Sequence, residues 1–222
     1  MSTDTPIRGV WLDTPRMKPK DAPPAPPLSA RFHEEAKQII ARYPAGQERS
    51  ALLPLLYLAM SEHGFVSAEA IGEIGALLKL SKAEVAAVST FYTMFKRKPQ
   101  GRWLVSVCTQ PSCALAGARD IISKLEEVCG IKCGSTTEDQ TISLEEVECL
   151  CACDGAPVFS VNYENYERKT ADEAAEIVAA LMNGDAPPPG ARGDVPEDFR
   201  AVARRMSGID GPEPIARADG AR

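Results

Sequence analysis

Arg102-Trp-Leu-Val-Ser-Val-Cys108-Thr-Gln-Pro-Ser-Cys113 is the stretch from which the rest of the chain can be placed. Trp103, Val105 and Val107 alternate with polar or smaller residues, so Arg102 to Cys108 reads as a strand. From Ser112 the period becomes helical, with Leu115, Ala118, Ile121, Ile122 and Leu125 on one face and Gly130 as the stop. A strand ending on one cysteine and a helix beginning near another leave a loop that can turn both sulfurs toward one centre. The answering stretch is Glu148-Cys149-Leu-Cys151-Ala-Cys153. It lies between a second strand read over Thr141 to Glu148 and a third over Pro157 to Val161, which turns through Asn162–Asn165 toward a fourth near Tyr166. Thr170 and Glu173 form a capping box for a helix with Ala174, Ile177, Val178 and Leu181 inward, ended by Gly184. This order predicts a small α/β sandwich over residues 99–184.

Upstream, residues 29–98 predict a helical bundle. Phe32, Ala36, Ile39, Ile40 and Tyr43 share one face of a helix ending near Pro44. Ser50 to Glu62 is apolar almost all round, as a central buried helix would be, with Pro54 in its first turns. Ser67 caps a third helix with Ile71, Ile74 and Leu78 inward, and the Ser81/Glu84 capping box opens a fourth carrying Val85, Val88, Tyr92 and Phe95. The fold class is therefore α+β. Residues 1–28 hold seven prolines and read as a flexible arm, in which Val10, Trp11 and Leu12 could anchor to a partner. Residues 185–222 read as a Pro/Gly-rich tail in which Pro196 to Met206 can form one short helix.

A net charge of −6 argues against nucleic acid as a partner, since phosphates call for a basic face. No apolar run reaches the length of about 18 residues that a membrane span needs, and the N-terminus lacks the order of a secretory signal. Clustered cysteines without such a signal suit ligands in a reducing compartment better than bridges, which suggests a cytoplasmic chain. His33 and His63 lie far from the cysteines in sequence, which disfavours a mixed His/Cys zinc centre.

The C-x4-C and C-x3-C pairs, 35 residues apart between Cys113 and Cys149, can converge on one metal centre. Two chelating pairs suit a [2Fe–2S] cluster, in which each iron takes two thiolates. The negative charge of such a cluster would be eased by loop N–H groups and by the start of the helix near Ser112. Structural zinc is the main competitor, although its pairs usually lie closer together, and a redox-active dithiol built on Cys149, Cys151 and Cys153 is the third reading. Cys129 and Cys133 read as structural. Cys151, between two candidate ligands, is either a near-cluster thiol or an alternative ligand.

Cys108-x4-Cys113 with Glu148-Cys149-Leu-x-Ala-Cys153-Asp-Gly-Ala-Pro157 resembles the signature of one family of NADH-quinone oxidoreductase components, the small iron–sulfur subunits of respiratory complex I. Ser89-Thr-Phe-Tyr-Thr-Met-Phe95 resembles the aromatic motif closing that family's helical region. The resemblance spans roughly Phe32 to Leu181, and the wider family includes diaphorase subunits of NAD-linked hydrogenases and formate dehydrogenases. It implies a thioredoxin-like [2Fe–2S] domain behind a helical bundle, with Cys108, Cys113, Cys149 and Cys153 as ligands. It also implies packing against a flavoprotein subunit that binds FMN and NADH, among other peripheral-arm subunits at the inner face of the membrane (the matrix side in a mitochondrion). The subunit would be a one-electron carrier with no catalytic site of its own. Cys151 departs from the pattern, which commonly has a small residue such as Gly there. No Gly-rich nucleotide loop occurs in the sequence, so FMN and NADH are expected on the partner.

Overall fold

The computed structural model describes residues 25–209, so the Val10-Trp11-Leu12 anchor lies outside the described residues. Helix α1 (Ala30–Ile40) starts where the Ser29 hydroxyl accepts from the Phe32 amide at 3.0 Å, and it buries Phe32, Ala36 and Ile39. Helix α2 (Leu52–His63) is led in by a 3-10 turn and buries residues on several sides, because α1, α3 (Ala68–Leu78), α4 (Lys82–Phe91) and a later helix all pack on it. The Ser67 cap and the Ser81/Glu84 capping box form as expected.

Helix α4 stops at Phe91, four residues short of the expected face. Tyr92 has extended backbone, and Phe91 and Tyr92 are exposed at 78% and 45%, while Phe95 returns to the core from a separate turn. The cause is local. The Ser89 and Thr90 hydroxyls both take the Ala86 carbonyl at 2.9 Å, competing with further helical turns.

The sheet has the order β2-β3-β1-β4-β5, built from β1 (Trp103–Cys108), β2 (Ser135–Thr136), β3 (Ile142–Val147), β4 (Val158–Val161) and β5 (Glu164–Glu167). Strand β1 runs parallel to β3 and antiparallel to β4. Two-residue β2 carries no periodicity and has no signature in the sequence. Strand β1 is buried along its whole length, not on one face only. Trp103, Val105 and Val107 join the core under α6 (Ala118–Cys129) and α7 (Ala171–Met182), whereas Leu104 joins the core of the bundle. The bundle therefore roofs the second face of the sheet. Ser106 on that face is satisfied by Glu145 at 2.8 Å, and Lys96 donates to both Glu145 oxygens at 2.8 Å.

The helix read from Ser112 is two helices. Helix α5 (Pro111–Leu115) is a single turn, and α6 starts afresh after Gly117 at φ 98°, a left-handed conformation that glycine adopts without strain. The break rotates Leu115 outward to 90% exposure, so it is not the inward residue expected. It also reduces the expected helix dipole at the site to that of one turn.

The segment after α7, read as a tail, is packed within the described residues. Helix α8 (Phe199–Met206) is capped by Asp198 and buries Phe199, Val202 and Ala203, the first and last in the bundle core, where α8 packs on α2. Arg204 grips Glu35 of α1 through two hydrogen bonds of 2.6 and 2.9 Å.

Candidate metal centre

Parallel pairing of β1 with β3 brings the two cysteine stretches together. Cys108 is level with Val147, the Thr109 amide donates to the Val147 carbonyl at 3.2 Å, and the Cys108 thiol reaches the Glu148 carbonyl at 3.5 Å. Both strands thus deliver their cysteines at the same edge. Past Cys108, Gln110 holds extended backbone, Pro111 opens α5 where its missing N–H costs nothing, and Cys113 lies within that turn. Cys108 and Cys113 are buried, at 2% and 1% exposure, whereas Cys149, Cys151 and Cys153 are exposed.

The five thiols interact with one another. Burial pushes Cys113 up to about 11, helped by Cys108 beside it and opposed by the Val158 amide, which donates to its sulfur. Cys149 is held below its ordinary value, chiefly by the Cys151 amide donating to its sulfur at 3.3 Å, and the Cys151, Cys153 and Cys108 side chains lie within its reach. Cys151 in turn is raised, mainly by Cys149. The two shifts run in opposite directions: the Cys151 amide favours the thiolate of exposed Cys149, and burial disfavours that of Cys113.

The backbone of Cys151 lies in the left-handed region at φ 57°. That turn aims its amide at Cys149, and it is a conformation glycine adopts most readily, which accounts for the small residue expected at this position. The remaining loop is tied down by neighbours that no sequence motif signals. Asn165 donates to the Leu150 carbonyl at 3.4 Å, Arg168 to the Asp154 carbonyl at 2.9 Å, and Arg192 to the Asp154 carboxylate. These contacts span up to 38 residues of sequence between polar residues that would otherwise be read as surface.

Cys129 and Cys133 are not among the converging thiols. Cys129 closes α6 within the apolar core, and Cys133 lies beside Glu126, Glu145 and Glu146; burial pushes each up to about 11. Among the described residues, no group of three or more His, Cys, Asp or Glu is set to hold a metal ion. The thiols are linked pairwise, with a backbone N–H on a sulfur of each loop. That donor set fits a binuclear iron–sulfur group, whose sulfur ligands are stabilised by such N–H groups.

A mixed sheet between two helical layers, with thiols gathered at the shared end of two parallel strands, defines an iron–sulfur protein of thioredoxin-like architecture. The family model described as thioredoxin-like [2Fe-2S] ferredoxin matches residues 36–182, and the chain belongs to that family. Among curated relatives, an NADH-quinone oxidoreductase subunit of Mycobacterium tuberculosis (strain H37Rv) is 38% identical over 211 residues, 95% of this chain and 80% of that protein. Its namesake in Rickettsia conorii is 41% identical over 149 residues, 67% of this chain and 89% of that protein. The mycobacterial likeness therefore extends past the 36–182 match. An NAD+-reducing [NiFe]-hydrogenase in the air-oxidized state matches with a TM-score of 0.54 at 23% identity, over 60% of this chain and 23% of that chain; this is a likeness of fold. Membership decides between the readings that spacing left open: the chain holds one [2Fe–2S] cluster and carries electrons.

Proposed function

We propose that the chain is the one-electron carrier subunit of an NADH-quinone oxidoreductase, with Cys108, Cys113, Cys149 and Cys153 as the thiolate ligands of its cluster. The observation that carries the reading is the β1/β3 register, which sets Cys108 level with the start of the second cysteine loop. The names of the relatives support the complex. A bound [2Fe–2S] cluster supplies a one-electron couple whose potential follows burial, charge and hydrogen bonds to sulfur. The chain's own part is to hold and insulate. Cys108 and Cys113 form a buried wall, while the Val158 and Cys151 amides offset negative charge on one sulfur of each loop. The Cys149–Cys153 loop leaves the opposite side open to a redox partner.

We assign that partner as the flavoprotein subunit that binds FMN and NADH, within the peripheral arm. We place attachment at the inner face of the membrane, through other subunits; among the described residues no helix is long and apolar enough to cross a membrane. Purified protein should be coloured, contain iron and acid-labile sulfide in equal amounts, and give a reduced-state EPR signal. A colourless protein with zinc and no sulfide would overturn the cluster reading. Copurification with a flavin-containing chain tests the partner, and recovery with hydrogenase subunits alone would overturn the complex.

A further inference from the structure

Residues 185–198 connect α7 to α8 by crossing the β5 side of the sheet, beyond the 36–182 family match but inside the alignment with the mycobacterial relative. The crossing is fixed by specific contacts. The Tyr166 hydroxyl donates to the Pro188 carbonyl at 2.5 Å, the Ala191 amide to the Asn165 carbonyl at 2.7 Å, and the Gly190 amide to the Asp194 carbonyl at 3.0 Å. Arg192 is thereby held over the outer cysteine loop. Its guanidinium bridges the Asp154 carboxylate, one residue past Cys153, and Glu167 of β5, at 2.9 Å to Oε2. Glu167 is the more enclosed partner, with its side chain 10% exposed. A Cβ on Gly155 would collide with the Glu167 side chain, so any larger residue there would have to displace the carboxylate that Arg192 bridges.

We propose that Arg192 is a positioning residue for the outer half of the cluster site, and that the 185–198 strap locks the 149–155 loop through it. This rests on the assignment of Cys149 and Cys153 as ligands. Arg192 fastens Asp154, and with it the backbone that presents Cys153. Its positive charge also stands between two carboxylates next to a centre that is negative in both oxidation states. Arg168 holds the carbonyl of the same Asp154, so the residue after Cys153 is gripped from main chain and side chain alike.

The two roles separate by experiment on the full-length, cluster-loaded protein under anaerobic conditions. Arg192→Gln should lose its visible absorbance to an iron chelator about five-fold faster than wild type, the weight expected of a largely exposed charged contact. Its midpoint potential, followed by EPR, should fall, because the carboxylates left behind oppose the added electron. Asp154→Asn should also lose its cluster faster but shift the potential upward. Combining the two should accelerate loss no further than either alone. Arg192→Lys should restore the potential without restoring retention, since an ammonium cannot bridge both carboxylates as the planar fork does. Hydrogen exchange should rise at 149–155 with the global melting temperature unchanged. Wild-type retention and potential in Arg192→Gln would overturn the proposal, as would exchange that rises evenly over the whole chain. Absence of a cluster from the wild type would sink the ligand assignment instead, and exchange at 149–155 in the metal-free chain would still decide the lock.

Discussion

The two halves of the thiol site use the same side chain on different supports. Cys108 and Cys113 belong to the apolar core under α6 and α7, together with Val107 and Phe159. Cys149, Cys151 and Cys153 are exposed on a loop that reaches the same core only through Ala152 and Leu150 and is otherwise held by a left-handed turn, a few carbonyl contacts and a guanidinium. The inner pair is placed by the same burial that folds the domain. The outer thiols are placed by a small apolar foothold at Ala152 and by polar contacts that contribute little to global stability. Damage to the inner half should therefore appear as unfolding, and damage to the outer half as cluster loss from a folded chain.

The largest test cuts the support under the inner half. Phe159 is fully buried, pairs with Val107 across β1 and β4, and stacks on Tyr166 with ring centroids 5.1 Å apart. Phe159→Ala should cost about 3–5 kcal/mol in urea unfolding of the metal-free chain. Leu115→Ala, at an exposed position beside the same site, should stay within about 0.5 kcal/mol. Equal losses at the two positions would break the comparison. Next come the proposed ligands. Cys113→Ser and Cys153→Ser should both abolish the cluster, but only Cys113→Ser should also destabilise the metal-free chain, by about 1–3 kcal/mol, because it buries a more polar group whose shorter bond sets its oxygen farther from the Val158 amide than the sulfur. Chemical denaturation of the two metal-free variants reads the difference directly.

The same division governs what the sequence could reveal. The helix caps at Ser67, Ser81 and Thr170 were legible because a cap is a local exchange between residues three apart. The strand β1 and its helices were legible from period. That both faces of β1 would be buried was not, because the bundle's approach to Leu104 and Ser106 is a tertiary event. The break at Gly117 was hidden within a continuous apolar pattern, and it turned Leu115 from an inward residue into an exposed one. The clustering of cysteines stood in the sequence, but the setting of the loop did not. Arg168, Asn165 and Arg192 act at a distance on carbonyls and a carboxylate, with no spacing that marks them.

A third test asks whether enclosure decides the weight of a charge pair away from the cysteines. Glu35 and Arg204 are only 12% and 19% exposed, whereas Asp154 and Arg192 are 67% and 54% exposed. Arg204 first, then Arg31, holds Glu35 down to about 2 from 4.5, against the upward push of burial. A folded-state value below the unfolded one means that the stabilisation is complete above about pH 4.5 and is lost as pH falls toward 2. Glu35→Gln should therefore be less stable than wild type by on the order of 1–2 kcal/mol near neutrality, after allowance for solvent screening, with the gap closing through that window. Urea unfolding at several pH values checks it. A gap that stays constant down to pH 3 would assign the effect to packing of α8 and not to charge.

The smallest expected effect bears most directly on the outer loop. At φ 57° Cys151 carries a Cβ in a conformation that costs an ordinary residue on the order of 1 kcal/mol relative to glycine. Its contribution to the site is the main-chain N–H donated to Cys149, which any residue but proline supplies. Cys151→Gly should therefore keep the cluster and gain up to about 1 kcal/mol, a rise of about 2–4 °C in melting temperature for a chain of this size. Cys151→Ala separates the two contributions, since it removes the thiol but keeps the Cβ. Cluster content should be unchanged in both variants, and the stability gain should appear only with glycine. If the alanine variant loses iron while Cys153→Ser retains it, Cys151 is the ligand. The loop would then bind through the residue at its left-handed turn, and the support of the outer half would be the strained position itself.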